Sequence, residues 1–201
     1  SASSLQATIE IESDEVADLL VPTLEAATAL NAKILFVSVK AGEMDKQIVY
    51  ERLRDAGEKA AEYGITIGME THPDLITNAD VAIETMKGVD HPNVRVNYDT
   101  ANIHYYNQNV DHVEEMKKVI NYIGSMHLKD TDGRYKTWCF PTFGEGIVDF
   151  KTVFDLLNDR GYNGPFTMEI EGVEGENLDE AQTCQRVADS VAYLRRIGCG
   201  V

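Results

Sequence analysis

Four short stretches each end in side chains able to hold a cation or move a proton. In Gly124–Asp130 the order is Gly-Ser-Met-His-Leu-Lys-Asp, and side chains alternate on a pleated strand, so Ser125, His127 and Lys129 face one way and Met126 and Leu128 the other. Ile65–Thr71 places Thr66, Gly68 and Glu70 opposite Ile65, Ile67 and Met69, and His72 joins the polar side if the strand runs on. Val94–Thr100 sets Arg95, Asn97 and Asp99 against Val94, Val96 and Tyr98, and Phe166–Glu171 sets Thr167, Glu169 and Glu171 against Phe166, Met168 and Ile170. Each strand thus delivers Glu, Asp, His or Glu at its end and keeps an apolar face for packing. Four such ends converging would make a metal site.

The elements that must position these groups alternate. Strands are expected over Leu5–Glu12 and Lys33–Val39 as well as the four above. Helices are expected over Asp14–Leu30 with Ser13 as N-cap, Gln47–Tyr63 ended by Gly64, Asn78–Met86, Asp111–Tyr122, Phe150–Arg160 and Leu178–Ile197. Pro22 counts against a straight first helix. A Tyr-rich loop follows Asp99, and 131–148, with its glycines and Pro141, is the longest irregular segment. Six βα units in strict alternation imply parallel strands with right-handed crossovers. Strands of a doubly wound sheet are covered on both faces and read as continuous apolar runs. These alternate polar with apolar, which favours a closed barrel of the TIM (β/α)8 type, whose sites lie at the C-terminal strand ends. Such barrels have eight units in about 250 residues. The chain is therefore expected to be one barrel domain over 1–201 that is N-terminally incomplete, lacking the first two βα units, with the open side prone to association, including as a homo-oligomer.

Composition narrows the function classes. A net charge of −16 argues against nucleic acid, because affinity for phosphate backbones rests on Lys and Arg. No apolar run is long enough for a membrane span and the first residues lack a basic leader, so neither membrane insertion nor secretion is expected. Three cysteines without CxxC spacing (Cys139, Cys184, Cys199) fit a reduced, cytoplasmic setting.

Glu70 after an apolar strand, Asp99 in Asn-Tyr-Asp-Thr-Ala-Asn102, His127 in His-Leu-Lys-Asp130, and Glu169 after Gly161-Tyr-Asn-Gly-Pro165 resemble the xylose isomerase-like TIM barrels, in particular their sugar (phosphate) isomerase/epimerase branch. The resemblance runs from about residue 8 to residue 197. It implies that Glu70, Asp99, His127 and Glu169 bind one divalent ion and that Glu70 and Glu169 also move protons. Three carboxylates and one imidazole suit Mn, Mg or Co better than a zinc site built on thiolates. Such an ion would leave positions for a substrate carbonyl and its neighbouring hydroxyl and stabilise the enediolate formed on proton removal. Returning the proton to the opposite face gives epimerisation; returning it to the neighbouring carbon gives aldose–ketose isomerisation. The substrate expected is a small sugar or sugar phosphate. An inosose- or keto-acid-type dehydratase begins with the same abstraction, and a non-catalytic barrel fragment is a further alternative.

Several other groups carry two readings. His72 either touches substrate or supports a ligand, or it caps the loop at Pro73. Lys129 and Arg134 could each hold a hydroxyl or phosphate, or be solvated charges. Trp138 and Phe140 could wall the pocket, or pin the loop 131–148. Asn102 stands where related multinuclear nucleases carry a further histidine, which argues against that chemistry, and is assigned with His72, Lys129, Arg134 and Trp138 to substrate binding. Glu171 shares the face of Glu169; the resemblance favours Glu169 as the ligand. His91, His104 and His112 are expected at the surface.

Overall fold

The computed structural model describes residues 2–199. Eight strands and seven helices follow one another as β1 (Ser4–Gln6), α1 (Val16–Ala29), β2 (Ile34–Val37), α2 (Lys46–Glu62), β3 (Thr66–Glu70), α3 (Ala79–Val89), β4 (Val94–Asp99), α4 (Asn102–Tyr106), α5 (His112–Val119), β5 (Ile123–Leu128), β6 (Cys139–Phe140), α6 (Phe150–Asp159), β7 (Phe166–Met168), β8 (Gly172–Val173) and α7 (Glu180–Arg196). Six strands form one parallel sheet in the order β1-β2-β3-β4-β5-β7. The two edge strands come together through Ser4 Oγ and Thr167 Oγ1, 3.4 Å apart, so the sheet is a nearly closed barrel of six βα units.

Alternation of side chains decides what each face does. Ile67, Met69, Val96, Tyr98, Met126 and Leu128 point outward under the helices, and none exceeds 2% exposure. Each such side chain contributes about 1.5–3 kcal/mol by leaving water. The opposite parity fills the barrel in levels. Ser125 Oγ donates to Asn97 Oδ1 at 2.8 Å, and Gly68 completes that level because a Cβ there would come within 2.7 Å of Ser125 Oγ. One level up stand Glu70, Asp99 and His127, with Asp99 directly opposite His127 in register. A register shift between Val96 and Asn97 inserts one residue into β5 and brings His127 onto the interior face beside Asp99.

Local signals set the helix boundaries. Asn78, Asp111 and Asp149 accept N–H bonds from the first turns of α3, α5 and α6, and Asp179 with Gln182 forms a reciprocal capping box on α7. Helix α2 stops at Tyr63, before Gly64 in the left-handed conformation (φ +65°).

Five expectations are corrected. The strand over Leu5–Glu12 ends at Gln6; the ladder's last bond is Ala7 N–H to Phe36 O, and Ile9 and Ile11 bury themselves in an irregular turn instead. Ser13 does not cap α1: the cap position is Glu15, without a side-chain bond, and Ser13 Oγ accepts only from the N–H of Glu15. The Tyr-rich loop is helix α4. The irregular 131–148 segment contains β6, paired antiparallel with β8, and the strand expected over Phe166–Glu171 ends at Met168, its last ladder bond running from Glu169 N–H to Leu128 O. Among the described residues no helix is long and apolar enough to cross a membrane.

Candidate metal centre

At the C-terminal mouth of the barrel, Glu70 ends β3, Asp99 ends β4, His127 lies one residue before the end of β5, and Glu169 follows β7, where its N–H still bonds Leu128 O. One donor atom from each of the four lies within 4.8 Å of the others. His127 Nδ1 stands 2.8 Å from Glu70 Oε1, 3.6 Å from Glu169 Oε2 and 4.0 Å from Asp99 Oδ2. Asp99 is fully buried, and its Oδ1 accepts from the N–H groups of Ala101 and Asn102, so the opening turn of α4 orients it.

Lys129 crosses this mouth. Its ammonium lies 2.6 Å from Glu169 Oε2, 2.8 Å from Glu171 Oε2 and 3.2 Å from Asp99 Oδ2, and donates to Asn102 Oδ1 at 3.1 Å. Despite those distances, Asp99 Oδ2 and Glu169 Oε2 receive no hydrogen bond of good angle. The contact with the ammonium is an ion pair by proximity. Two buried carboxylate oxygens without a bonded proton, aimed at one imidazole, form the donor set a hard divalent ion takes. A shell of radius about 2.1 Å spreads its donors up to about 4.2 Å, so the four residues fit such an ion after closing by about half an ångström.

Each group in the cluster shifts its neighbours. Burial works against ionising Glu70, but hydrogen bonds with His127 and from Ser38, together with the nearby His72 imidazole, outweigh it and hold the carboxyl far below its ordinary range. Burial pushes Asp99 up against the pull of Lys129. Glu169 resists burial through His127 and Lys129 and stays low. His127 also resists burial, and Glu169 and Glu70 lift it to about 9. Burial disfavours the charged form of Lys129, but Asp99 and Glu169 raise its pKa well above the ordinary value.

The structure gathers Glu70, Asp99, His127 and Glu169 into one cluster and sets His72, Asn102, Lys129 and Trp138 around the same pocket. His72 Nδ1 is 3.3 Å from Glu70 Oε2 and its ring lies 4.8 Å from that of Tyr106. Glu171 faces Lys129 and stays outside the four-donor cluster. Arg134 is not brought there: its guanidinium pairs with Asp132 and is 69% exposed. His104 and His112, expected at the surface, are buried and bonded to each other at 3.0 Å, because α4 is a helix packed on the start of α5.

Sequence reasoning passed over Ser38, which donates to Glu70 Oε2 at 2.8 Å, and Phe36, whose ring meets His127 edge-on at 4.6 Å. Their two-residue spacing on one strand face was the available signal. Tyr105 and Tyr106 also line the pocket with Trp138 and Phe140, and the helical turn that places them had no periodic pattern long enough to read.

Comparison with known proteins agrees with this architecture. A family model described as "Xylose isomerase-like TIM barrel" matches residues 4–197. The inosose dehydratase of Geobacillus thermodenitrificans is 29% identical over 145 residues, covering 64% of this chain and 48% of that protein. The L-ribulose-5-phosphate 3-epimerase UlaE of Shigella flexneri is 28% identical over 145 residues, covering 70% and 49%. The chain thus spans about half the length of these relatives. A xylose isomerase-like TIM barrel protein from Mycobacterium smegmatis, solved in complex with magnesium, superposes with TM-score 0.73 at 20% identity, over 96% of this chain and 72% of that one.

Proposed function

This chain belongs to the xylose isomerase-like TIM barrel family, and from that premise we propose that it is a divalent-metal-dependent isomerase or epimerase of a small sugar or sugar phosphate. The observation that carries the reading is the four-residue cluster itself: two glutamates delivered from β3 and β7, separated in the sheet by β4 and β5, flank one buried aspartate and one histidine. Glu70, Asp99, His127 and Glu169 would hold the ion. Bound there, it supplies Lewis-acid charge to a substrate carbonyl and the adjacent hydroxyl.

The chain's own residues do the rest. Glu70 and Glu169 are both held ionised at neutral pH, so neither must first lose a proton before accepting one from the carbon beside the carbonyl. They are delivered from β3 and β7 with β4 and β5 between them, so in this reading one removes a proton and the other returns it from the opposite face. Lys129 and Asn102 offer a donor and an amide to substrate hydroxyls at the pocket wall. His72 steadies Glu70, and Tyr105, Tyr106, Trp138 and Phe140 shield the pocket from bulk water. The similarity to an inosose dehydratase supports a second reading, in which the same abstraction is followed by loss of a β-hydroxyl.

The test combines metal analysis with isotope exchange. The purified chain is assayed for Mn, Mg and Co beside Glu70→Gln and His127→Ala, and ketoses and their phosphates are then incubated with each form in D2O. We expect about one ion per chain, lost in both variants, and deuterium at the carbon next to the carbonyl with the wild type only. A product lighter by one water selects the dehydratase. An unmetallated wild type that exchanges no deuterium even with added Mn²⁺ overturns the enzymatic reading in favour of a non-catalytic barrel.

A further inference from the structure

The ammonium of Lys129 is surrounded by more acceptors than it has protons. Four oxygens lie within 3.2 Å of Nζ, from Glu169, Glu171, Asn102 and Asp99, while an ammonium carries three N–H groups. Two of the four, Asp99 Oδ2 and Glu169 Oε2, are the oxygens that lack a well-formed hydrogen bond and that a divalent ion would need. The other two belong to Glu171 and Asn102, which stand outside the four-donor cluster. Thus the contacts of Lys129 divide into one pair shared with the ion and one pair that is its own.

We propose that Lys129 is the resident counter-cation of this centre, and that ion binding is an exchange in which Lys129 gives up Asp99 and Glu169 and remains on Glu171 and Asn102. The inference rests on the reading of the centre as a divalent-ion site. Three buried or half-buried carboxylates that close together repel one another strongly, so the metal-free state needs a cation among them. Lys129 supplies it from a side chain that is 3% exposed. Its main chain cannot follow a displaced side chain: Lys129 N–H donates to Thr100 Oγ1 at 3.0 Å, and that hydroxyl donates back to Lys129 O at 2.7 Å. Only the side-chain torsions are free, with the Phe140 ring 4.9 Å from Nζ as one wall. Glu171 is then a positioning residue, whose part is to keep the ammonium when the shared oxygens are taken.

The experiment is a calorimetric Mn²⁺ titration of wild type, Lys129→Met, Glu171→Gln and the double variant, with the melting temperature of each metal-free form. Lys129→Met should bind Mn²⁺ at least about tenfold more tightly, since a competing cation is gone, and should melt lower without metal. Glu171→Gln should weaken Mn²⁺ by roughly threefold or more in the wild-type background and by less than about twofold in the Lys129→Met background, because its effect runs through the lysine. Equal weakening in both backgrounds, or Lys129→Met binding no tighter than wild type, overturns the exchange. A wild type that binds no Mn²⁺ overturns the metal reading itself, and the exchange falls with it. Should Lys129→Met fail to fold, Lys129→Gln, which retains a donor for Asn102, is held to the same criteria.

Discussion

Replacing His104 by Gln should flatten the dependence of stability on pH between 7 and 5. His112 Nε2 accepts the N–H of Asp149 at 3.0 Å, so its proton is on Nδ1 and points at His104 Nε2, 3.0 Å away. Both rings are therefore neutral, and adding a proton to either breaks one of these bonds. Burial, then the neighbouring His112, pushes His104 down to about 4 despite the opposing pull of Asp111. Burial likewise lowers His112 against Asp111, Asp149 and Asp130. The unfolded chain takes up these protons first, so the pair's stabilisation is present above the unfolded value of about 6.5 and is lost as pH falls toward 4. For His104 alone the loss from pH 7 to 5 is about 2 kcal/mol. His127 works the other way, its contribution being present below about 6.5 and lost as pH rises toward 9, and it offsets about 1 kcal/mol of that loss. The comparison of wild type with His104→Gln removes this common term. Urea unfolding at both pH values, with chelator present, should show wild type losing about 2 kcal/mol more than the variant. Equal pH dependence in the two proteins would refute a neutral, buried pair.

Two further outcomes follow from packing and hydrogen bonding. Asp130 Oδ1 accepts from the N–H groups of Thr131 and Val148 and Oδ2 from Gly144 and Gly146, so Asp130→Asn must turn an NH2 group against N–H donors; we expect a loss of about 3 kcal/mol and faster amide exchange at residues 144–148. Gly68→Ala drives a methyl against Ser125 Oγ inside the barrel and should cost about 1–3 kcal/mol in thermal or urea unfolding, part of it recovered by adding Ser125→Ala.

What could be read from sequence was what local patterning controls. The period-two alternation in Ile65–Glu70, Val94–Asp99 and Gly124–Leu128 is imposed by a polar barrel interior and apolar helix-covered exterior, so it identifies the inward-facing residues. Gly64, expected to end the second helix, likewise acts locally. The failures share one cause, which is pairing between distant segments. Leu5–Glu12 alternates as a strand but β2 offers no partner beyond Phe36, and Ile9 and Ile11 alternate only because both reach the core. His104 and His112 look like loop residues until α4 folds onto α5. Arg134 looks like a pocket cation until Asp132, two residues away, takes it.

The meeting of Ser4 with Thr167 has a kinetic consequence. Every other boundary in the barrel is a main-chain ladder between strands consecutive in the sheet, its partners separated by far shorter stretches of chain, from Ile67 and Val94 up to Met126 and Phe166, whereas this one joins residues 163 positions apart through two hydroxyls. Chain-entropy cost rises with the length of loop to be closed, so the five ladders can zip in any order while the seam must wait for all of them. The seam is therefore expected to form last and to part first. Exchange of amides flanking β1 and β7 should report that opening before any other strand pair yields.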